Sequence, residues 1–309
     1  MALRLGLGLP QMRQYELTRD VTAVARAAEH AGYDSVWVFE RTLFPVHPRD
    51  GMYGVPGLAW GDFYRDCADP LVTLTLAAAV TERVRLGTSV LIAPLHHPYE
   101  LARSLATLDA ASGGRLVAGF GTGWSSDEYT AAGADFGTRG AALEETLDVC
   151  EAVWGPDPVA YEGRSVTVPP AYAGPKPHAG PPPVLLAGSA GRALDRVARR
   201  ADGFLPAFVP HPVLAGRWAR VRELAESYGR DPDRLTLVQR CAVRLTDKPV
   251  DGERALHEGS VEQIVEDLAQ GVAAGVDEAL LDFQSAARDA AELTDAARLL
   301  APAVREAGL

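Results

Sequence analysis

Cysteine is scarce in this chain: Cys67, Cys150 and Cys241 stand far apart, odd in number, with no CxxC and no Cys/His ligand spacing. Neither a disulfide framework nor a zinc site is indicated, which leaves three reduced thiols in or near a core. Long apolar runs are missing as well, and no charged n-region followed by an apolar h-region opens the chain. A cytoplasmic protein without a membrane partner is therefore expected. Basic clusters are also lacking. With 30 Lys and Arg against 41 Asp and Glu, the formal net charge is −11. Binding nucleic acid requires clustered cations that neutralise phosphates, so nucleic-acid partners are not expected.

Nucleotide signatures are absent in turn. A doubly wound dinucleotide fold needs GxGxxG directly after the first strand. Here the first apolar run, Leu3–Leu9, is followed by Pro10-Gln11-Met12. Neither Gly119-Phe120-Gly121 nor Gly121-Thr122-Gly123 is completed by a glycine three residues on, and no Walker A pattern occurs. No Ser/His/Asp set or carboxylate pair stands out. His96-His97 has no carboxylate at ligand spacing, so no metal is expected.

What is present is alternation. Apolar residues make up 47% of the 309 residues, enough for a sizeable core. The stretch from Arg83 to Trp124 sets the pattern: two short apolar runs, Val84–Leu91 and Arg115–Gly121, flank a helix-length segment, Pro98–Ala111. A crossover helix forces such strands to be parallel. Further strands are expected at Leu3–Leu9, Ser35–Phe39, Pro183–Ala187, Gly203–Ala207, Leu235–Leu245 and Glu278–Phe283, with helices between them. The first helix spans about Tyr15–Ala31, carries Leu17, Val21, Val24 and Ala28 on one face, and stops at Gly32. Eight strands alternating with helices predict a (β/α)8 barrel occupying residues 1–309 as one domain. Two segments break the rhythm. Residues 40–66 form a long aperiodic loop rich in Gly, Pro and aromatics, and such loops are usually functional. Residues 155–183 hold nine prolines in 29 residues and read as an insertion with short strands near Val159–Tyr161 and Ser165–Val168.

In a barrel the active site lies where strands end. Those ends carry Glu40, Arg41 and His47 after strand two, Ser89-Val90 after strand three, Gly121-Thr122-Gly123-Trp124 after strand four and Gly188-Ser189-Ala190-Gly191 after strand five. The set is rich in small residues and poor in nucleophile-base pairs, which suits a planar cofactor approached by backbone. Gly188–Gly191 could seat a phosphate on free N–H groups at a helix start, or be a plain tight turn. Trp124 could wall a ring or pack in the core. His47 is an acid-base candidate because imidazole titrates near neutrality.

These residues also carry a resemblance. AEHAGYDSVWVFER (28–41), RVRLGTSVLIAPLHHPYELARSLATLDAASGGRLVAGFGTGWSSDEYTAAG (83–133), PPVLLAG (182–188) and RRADGF (199–204) resemble the luciferase-like monooxygenase superfamily, and within it the coenzyme F420-dependent branch. The resemblance implies a luciferase-like (β/α)8 TIM barrel with insertions. It implies a non-proline cis peptide at Ser89–Val90, forming a bulge beneath a deazaflavin ring. It implies that Thr122, Gly123 and Asp127 (or Glu128) line the ring, that Glu40 lies near its edge, and that Gly188, Ser189, Ala190 and Gly191 hold the phosphate. Two departures stand out: F420-dependent sugar dehydrogenases of this kind carry His where Arg41 stands and Glu where Trp124 stands. Sugar oxidation by that route is thus not expected.

The leading expectation is an F420-dependent oxidoreductase that transfers a hydride between deazaflavin C5 and a small organic substrate, reducing an activated C=C or C=N bond. Arg41 would orient an anionic group, Trp124 would wall the substrate, and His47 or Tyr129 would supply a proton. The alternative is a monooxygenase using reduced FMN and O2. A third reading is a cofactor-binding barrel that has lost catalysis. A homodimer is expected, because such proteins are often dimers.

Overall fold

The computed structural model describes residues 2–309. Eight strands form the frame: β1 Arg4–Gly8, β2 Ser35–Val38, β3 Arg85–Thr88, β4 Leu116–Gly121, β5 Val184–Leu186, β6 Gly203–Phe204, β7 Thr236–Ala242 and β8 Glu278–Asp282. Each pairs in parallel with its neighbours in chain order. β8 pairs back onto β1, Glu278 beside Arg4 and Leu281 beside Leu7, so the sheet closes. The result is the expected (β/α)8 barrel. Its outer layer is α1 Leu17–His30, α2 Pro70–Ala78, α3 Pro98–Ser112, α4 Ser126–Ala132, α5 Arg139–Trp154, α6 Arg192–Arg200, α7 His211–Ser227, α8 Val261–Ala273 and α9 Ala290–Glu306. No described helix is long and apolar enough to cross a membrane.

Local chemistry explains the helix limits. The Glu16 carboxylate accepts from the Thr18 and Arg19 N–H groups at the start of α1, and Val21, Val24, Ala25 and Ala28 bury one face. Such caps satisfy amides that lack partners within the helix. At α8, Ser260 and Gln263 form a reciprocal capping box. The three cysteines are free.

Two cores result. One lies between barrel and helices and holds most of the buried Leu, Val and Ala. The other fills the barrel interior with Trp37, Val117, Leu185, Leu205, Val238 and Leu280, and Val90 rests on it. Trp37 sets the geometry there: a Cβ on Gly87 would come within 2.2 Å of its ring. Its indole N–H donates to Ser35 Oγ at 2.7 Å, and Ser35 in turn meets the buried Glu278 carboxylate.

Four sequence expectations are refined. Strand three breaks at Ser89–Val90, after which Leu91–Ile92 pairs with β4. The expected seventh strand divides after Ala242, and Arg244–Leu245 pairs instead with Glu258–Gly259. In the insertion, Val159–Glu162 and Thr167–Ala171 form an antiparallel hairpin. Its second strand starts later than expected because the Ser165 N–H is bound to the Glu145 carboxylate, which holds Gly163–Ser165 as the turn. Residues 40–66 contain only two short 3-10 turns, Met52–Gly54 and Asp62–Arg65.

Candidate functional site

The C-terminal strand ends open onto a cavity of about 520 Å³, a size suited to a cofactor and a small substrate. Its floor is the bulge. The Ser89–Val90 peptide is cis, and Val90 lies so close to β4 that a Cβ on Gly121 would fall 2.7 Å from its side chain.

Buried polar groups hold the bulge from three sides. The Ser89 N–H donates to the Val38 carbonyl at 2.6 Å, and the Ser89 carbonyl accepts from Arg240 Nη1 at 3.0 Å. The Ile92 N–H donates to Glu40 Oε2 at 2.5 Å, while Glu40 Oε1 faces His96 Nε2 at 2.8 Å. Burial alone would depress the His96 imidazole, but its hydrogen bond to Glu40 and that carboxylate's charge carry it above the ordinary histidine value.

Arg240, from the apolar strand β7, lies under the cavity. Its Nε donates to Asp282 Oδ2 at 2.9 Å, and its guanidinium sits 4.7 Å from the Phe39 ring and 5.2 Å from that of Phe208. Asp282 Oδ1 accepts from the Gln284 N–H at 3.1 Å. The charge is thus paired, hydrogen-bonded and flanked by aromatic faces, which is what a buried arginine requires.

Aromatics make the walls. Trp124 packs against Trp60 at 4.4 Å and Tyr53 at 5.9 Å. Tyr53 also reaches Phe208 at 5.4 Å, and its hydroxyl lies 3.0 Å from that of Tyr64. Behind Trp124, the Arg41 guanidinium lies 4.5 Å from the ring centre and 2.7 Å from Glu128 Oε2. Burial raises the Glu128 carboxyl above its usual range, against the pull of Arg41 and Thr42. The 40–66 loop is pinned onto α4: Asp50 accepts from the Ser126 N–H at 2.7 Å, and Arg49 Nε donates to Asp127 at 2.6 Å.

At the far side, residues Gly188–Gly191 lead into α6. The N-cap Gly191 provides no side-chain cap, and Arg196 and Arg217 line the same cavity. Arg196 is already paired with Glu144 at 2.8 Å, so the uncapped amides at the helix start and the Arg217 guanidinium are what suit an anionic group.

Of the residues singled out from sequence, Glu40, Arg41, Ser89, Val90, Thr122, Gly123, Trp124, Gly188 and Ser189 line this one cavity. Ala190 and Gly191 are exposed in the adjoining loop. Four do not fit their expected roles. His47 is exposed and lies outside the lining, because Arg49 and Asp50 turn the loop onto α4. Asp127 faces outward to Arg49 rather than inward, and the inner position belongs to Glu128. The Tyr129 hydroxyl donates to the Thr122 carbonyl at 2.6 Å, away from the cavity. Arg41 is neutralised by Glu128, so its charge is not free for a substrate anion.

Sequence reasoning missed Tyr53, Tyr64, Phe208, Arg196, Arg217, Arg240 and Asp282. The last two did leave a signal: a lone arginine inside LVQRCA and an aspartate closing EALLD, each a charge within an apolar strand. Among the described residues, no group of three His, Cys, Asp or Glu is placed to hold a metal.

The model of a family described as luciferase-like monooxygenase matches residues 7–303. An uncharacterized protein of Mycobacterium tuberculosis (strain ATCC 25618 / H37Rv) is 40% identical over 190 residues, covering 59% of this chain and 66% of its own length. An F420-dependent glucose-6-phosphate dehydrogenase of Nakamurella multipartita is 31% identical over 245 residues, covering 77% of this chain and 66% of its own length. The chain thus spans just under two thirds of both relatives. Among solved structures, monooxygenase RslO1 from Streptomyces bottropensis superposes with a TM-score of 0.81 at 20% identity, covering 99% of this chain and 100% of its own. That likeness concerns the fold.

Proposed function

Since this chain belongs to the luciferase-like monooxygenase family, we propose that it is an F420-dependent oxidoreductase reducing an activated C=C or C=N bond in a small, largely apolar substrate. One observation carries the reading. A bulged floor and an uncapped, arginine-flanked helix start share one cavity, which matches a planar ring bearing an anionic tail. The donor set therefore fits the cofactor: Ser89, Val90, Gly121 and Thr122 would take the ring, and Gly188–Gly191 with Arg217 the phosphate. F420 supplies a hydride when bound, and the F420-dependent relative at 31% identity supports that choice of ring.

The chain's own residues do the rest. Glu40 and Arg240 fix the bulge, so the surface on which a ring would rest is set before binding. Trp124, Tyr53 and Phe208 give the reacting bond an aromatic wall. Sugar oxidation is disfavoured because Arg41 and Trp124 stand at the acid-base positions and Arg41 is already paired with Glu128.

Fluorescence titration with F420, and separately with FMN, tests the proposal. Micromolar or tighter F420 binding with FMN much weaker is expected, followed by oxidation of F420H2 with enoate or imine substrates. Preference for reduced FMN with substrate-dependent oxygen consumption would establish the second reading, a flavin monooxygenase, which the aromatic wall also favours.

A further inference from the structure

A hydride delivered to carbon leaves an anion that needs a proton, and the residues first expected to supply it, His47 and Tyr129, lie outside the cavity. The lining narrows the choice. Glu40 is engaged through both oxygens by the Ile92 N–H and by His96. Arg41, Arg196, Arg217 and Arg240 bear guanidiniums, which do not give up a proton near neutrality. Ser89, Thr122 and Ser189 offer only alcohols, far weaker acids than a phenol. Two phenols remain, Tyr53 and Tyr64, and their hydroxyl oxygens lie 3.0 Å apart inside the lining.

Their surroundings differ in a way that sets the direction of transfer. Tyr64 is buried against Phe39, Trp60 and Phe63, and burial holds its phenol well above the ordinary value. It keeps its proton, so its hydroxyl can donate to the Tyr53 oxygen 3.0 Å away. Tyr53 is 40% exposed, stands between Trp124 and Phe208 at the cavity wall, and is held with φ 59° by its 3-10 turn. It touches both the cavity and solvent.

We propose that Tyr53 is the general acid of this site and that the Tyr64 hydroxyl stabilises the phenolate it becomes. The inference rests on the proposed reductive function. The substrate's double bond accepts a hydride at one atom, and its π electrons take the proton of Tyr53 Oη at the other. The Tyr53 oxygen keeps the O–H bonding pair, receives the Tyr64 hydrogen bond, and regains a proton from water at the mouth. Atoms and charge then balance at one hydride and one proton per turnover.

Two measurements test this, and one needs no cofactor. Ultraviolet titration of the protein alone follows tyrosinate formation. Tyr53→Phe is expected to remove one ionising phenol, and Tyr64→Phe to move that same phenol's transition to higher pH. Two variants that each merely delete an independent, unshifted phenol would overturn the proposal. In turnover with F420H2, Tyr53→Phe is expected to lower kcat about 100-fold, the scale of lost general acid catalysis, with KM and F420 affinity within twofold. A kcat within twofold of the parent, or a loss confined to KM, would also overturn it. Failure of the parent protein to bind F420 would sink the proposed function itself, and the cofactor-free titration would still judge the phenol pair.

Discussion

Arg240 contributes a full charge to a floor otherwise made of side chains that cannot solvate one, and Asp282, the Ser89 carbonyl and two aromatic faces compensate for it. Breaking a buried pair from one side strands the other charge, at a cost of about 3–5 kcal/mol. Arg240→Ala should therefore lower unfolding free energy by that amount in urea melts and weaken F420 binding. Arg240→Lys should restore only part, because one ammonium cannot span Asp282 and Ser89 as the fork does. A second prediction concerns His257, buried beside His211, Asp267 and Arg254 on the segment between β7 and α8. Burial lowers its imidazole to about 4, and Asp267 opposes that shift. The unfolded chain thus binds a proton that the folded chain refuses. Stability is complete above about 6.5 and falls as pH drops towards 4, by up to about 3 kcal/mol. His257→Gln should flatten that acid limb in melts run between pH 7 and 4. An unchanged limb would locate the acid sensitivity elsewhere.

At the level of elements, the sequence was most legible where a period exists. All eight strands and the helices between them follow from apolar runs and three- and four-residue spacing, down to the Gly32 stop after α1. The break in strand three does not follow that way, since TSVLI has good strand residues throughout; tertiary contacts at Val38, Arg240 and Glu40 impose it. Tyr53, Tyr64 and Phe208 sit on aperiodic loops, where no spacing announces a facing side chain. The Arg41–Glu128 pair joins residues far apart in the chain, so neither partner's role was readable locally. Strand β3 also depends on its glycine. A methyl at Gly87 would overlap the Trp37 ring, so Gly87→Ala should cost about 1–3 kcal/mol as overpacking does. Trp37→Phe should recover part of that loss. A double-mutant cycle that shows the two changes to be additive would exclude the contact as the cause.

For the molecule as a whole, the cavity joins the ends of strands that are distant in sequence, so a bound cofactor ties the barrel's upper rim together. A ligand that binds only the folded chain stabilises it by about 2.7 kcal/mol at a hundred times its Kd. For a chain of this size that should raise Tm by about 4 °C, and F420 should do so at concentrations where FMN does not. The same rim carries a gap that gives a direct view of the site. Beyond Val38 and Thr88, β2 no longer accompanies strand three, and Leu91–Ile92 is paired on the β4 side alone. The carboxylate of Glu40 takes the Ile92 amide that a neighbouring strand would otherwise have satisfied. A short bond to a charged oxygen deshields an amide proton and slows its exchange with solvent. The Ile92 resonance should therefore stand far downfield in a nitrogen-proton correlation spectrum. Its position would then report, from a single backbone nucleus, whether the floor of the site is set.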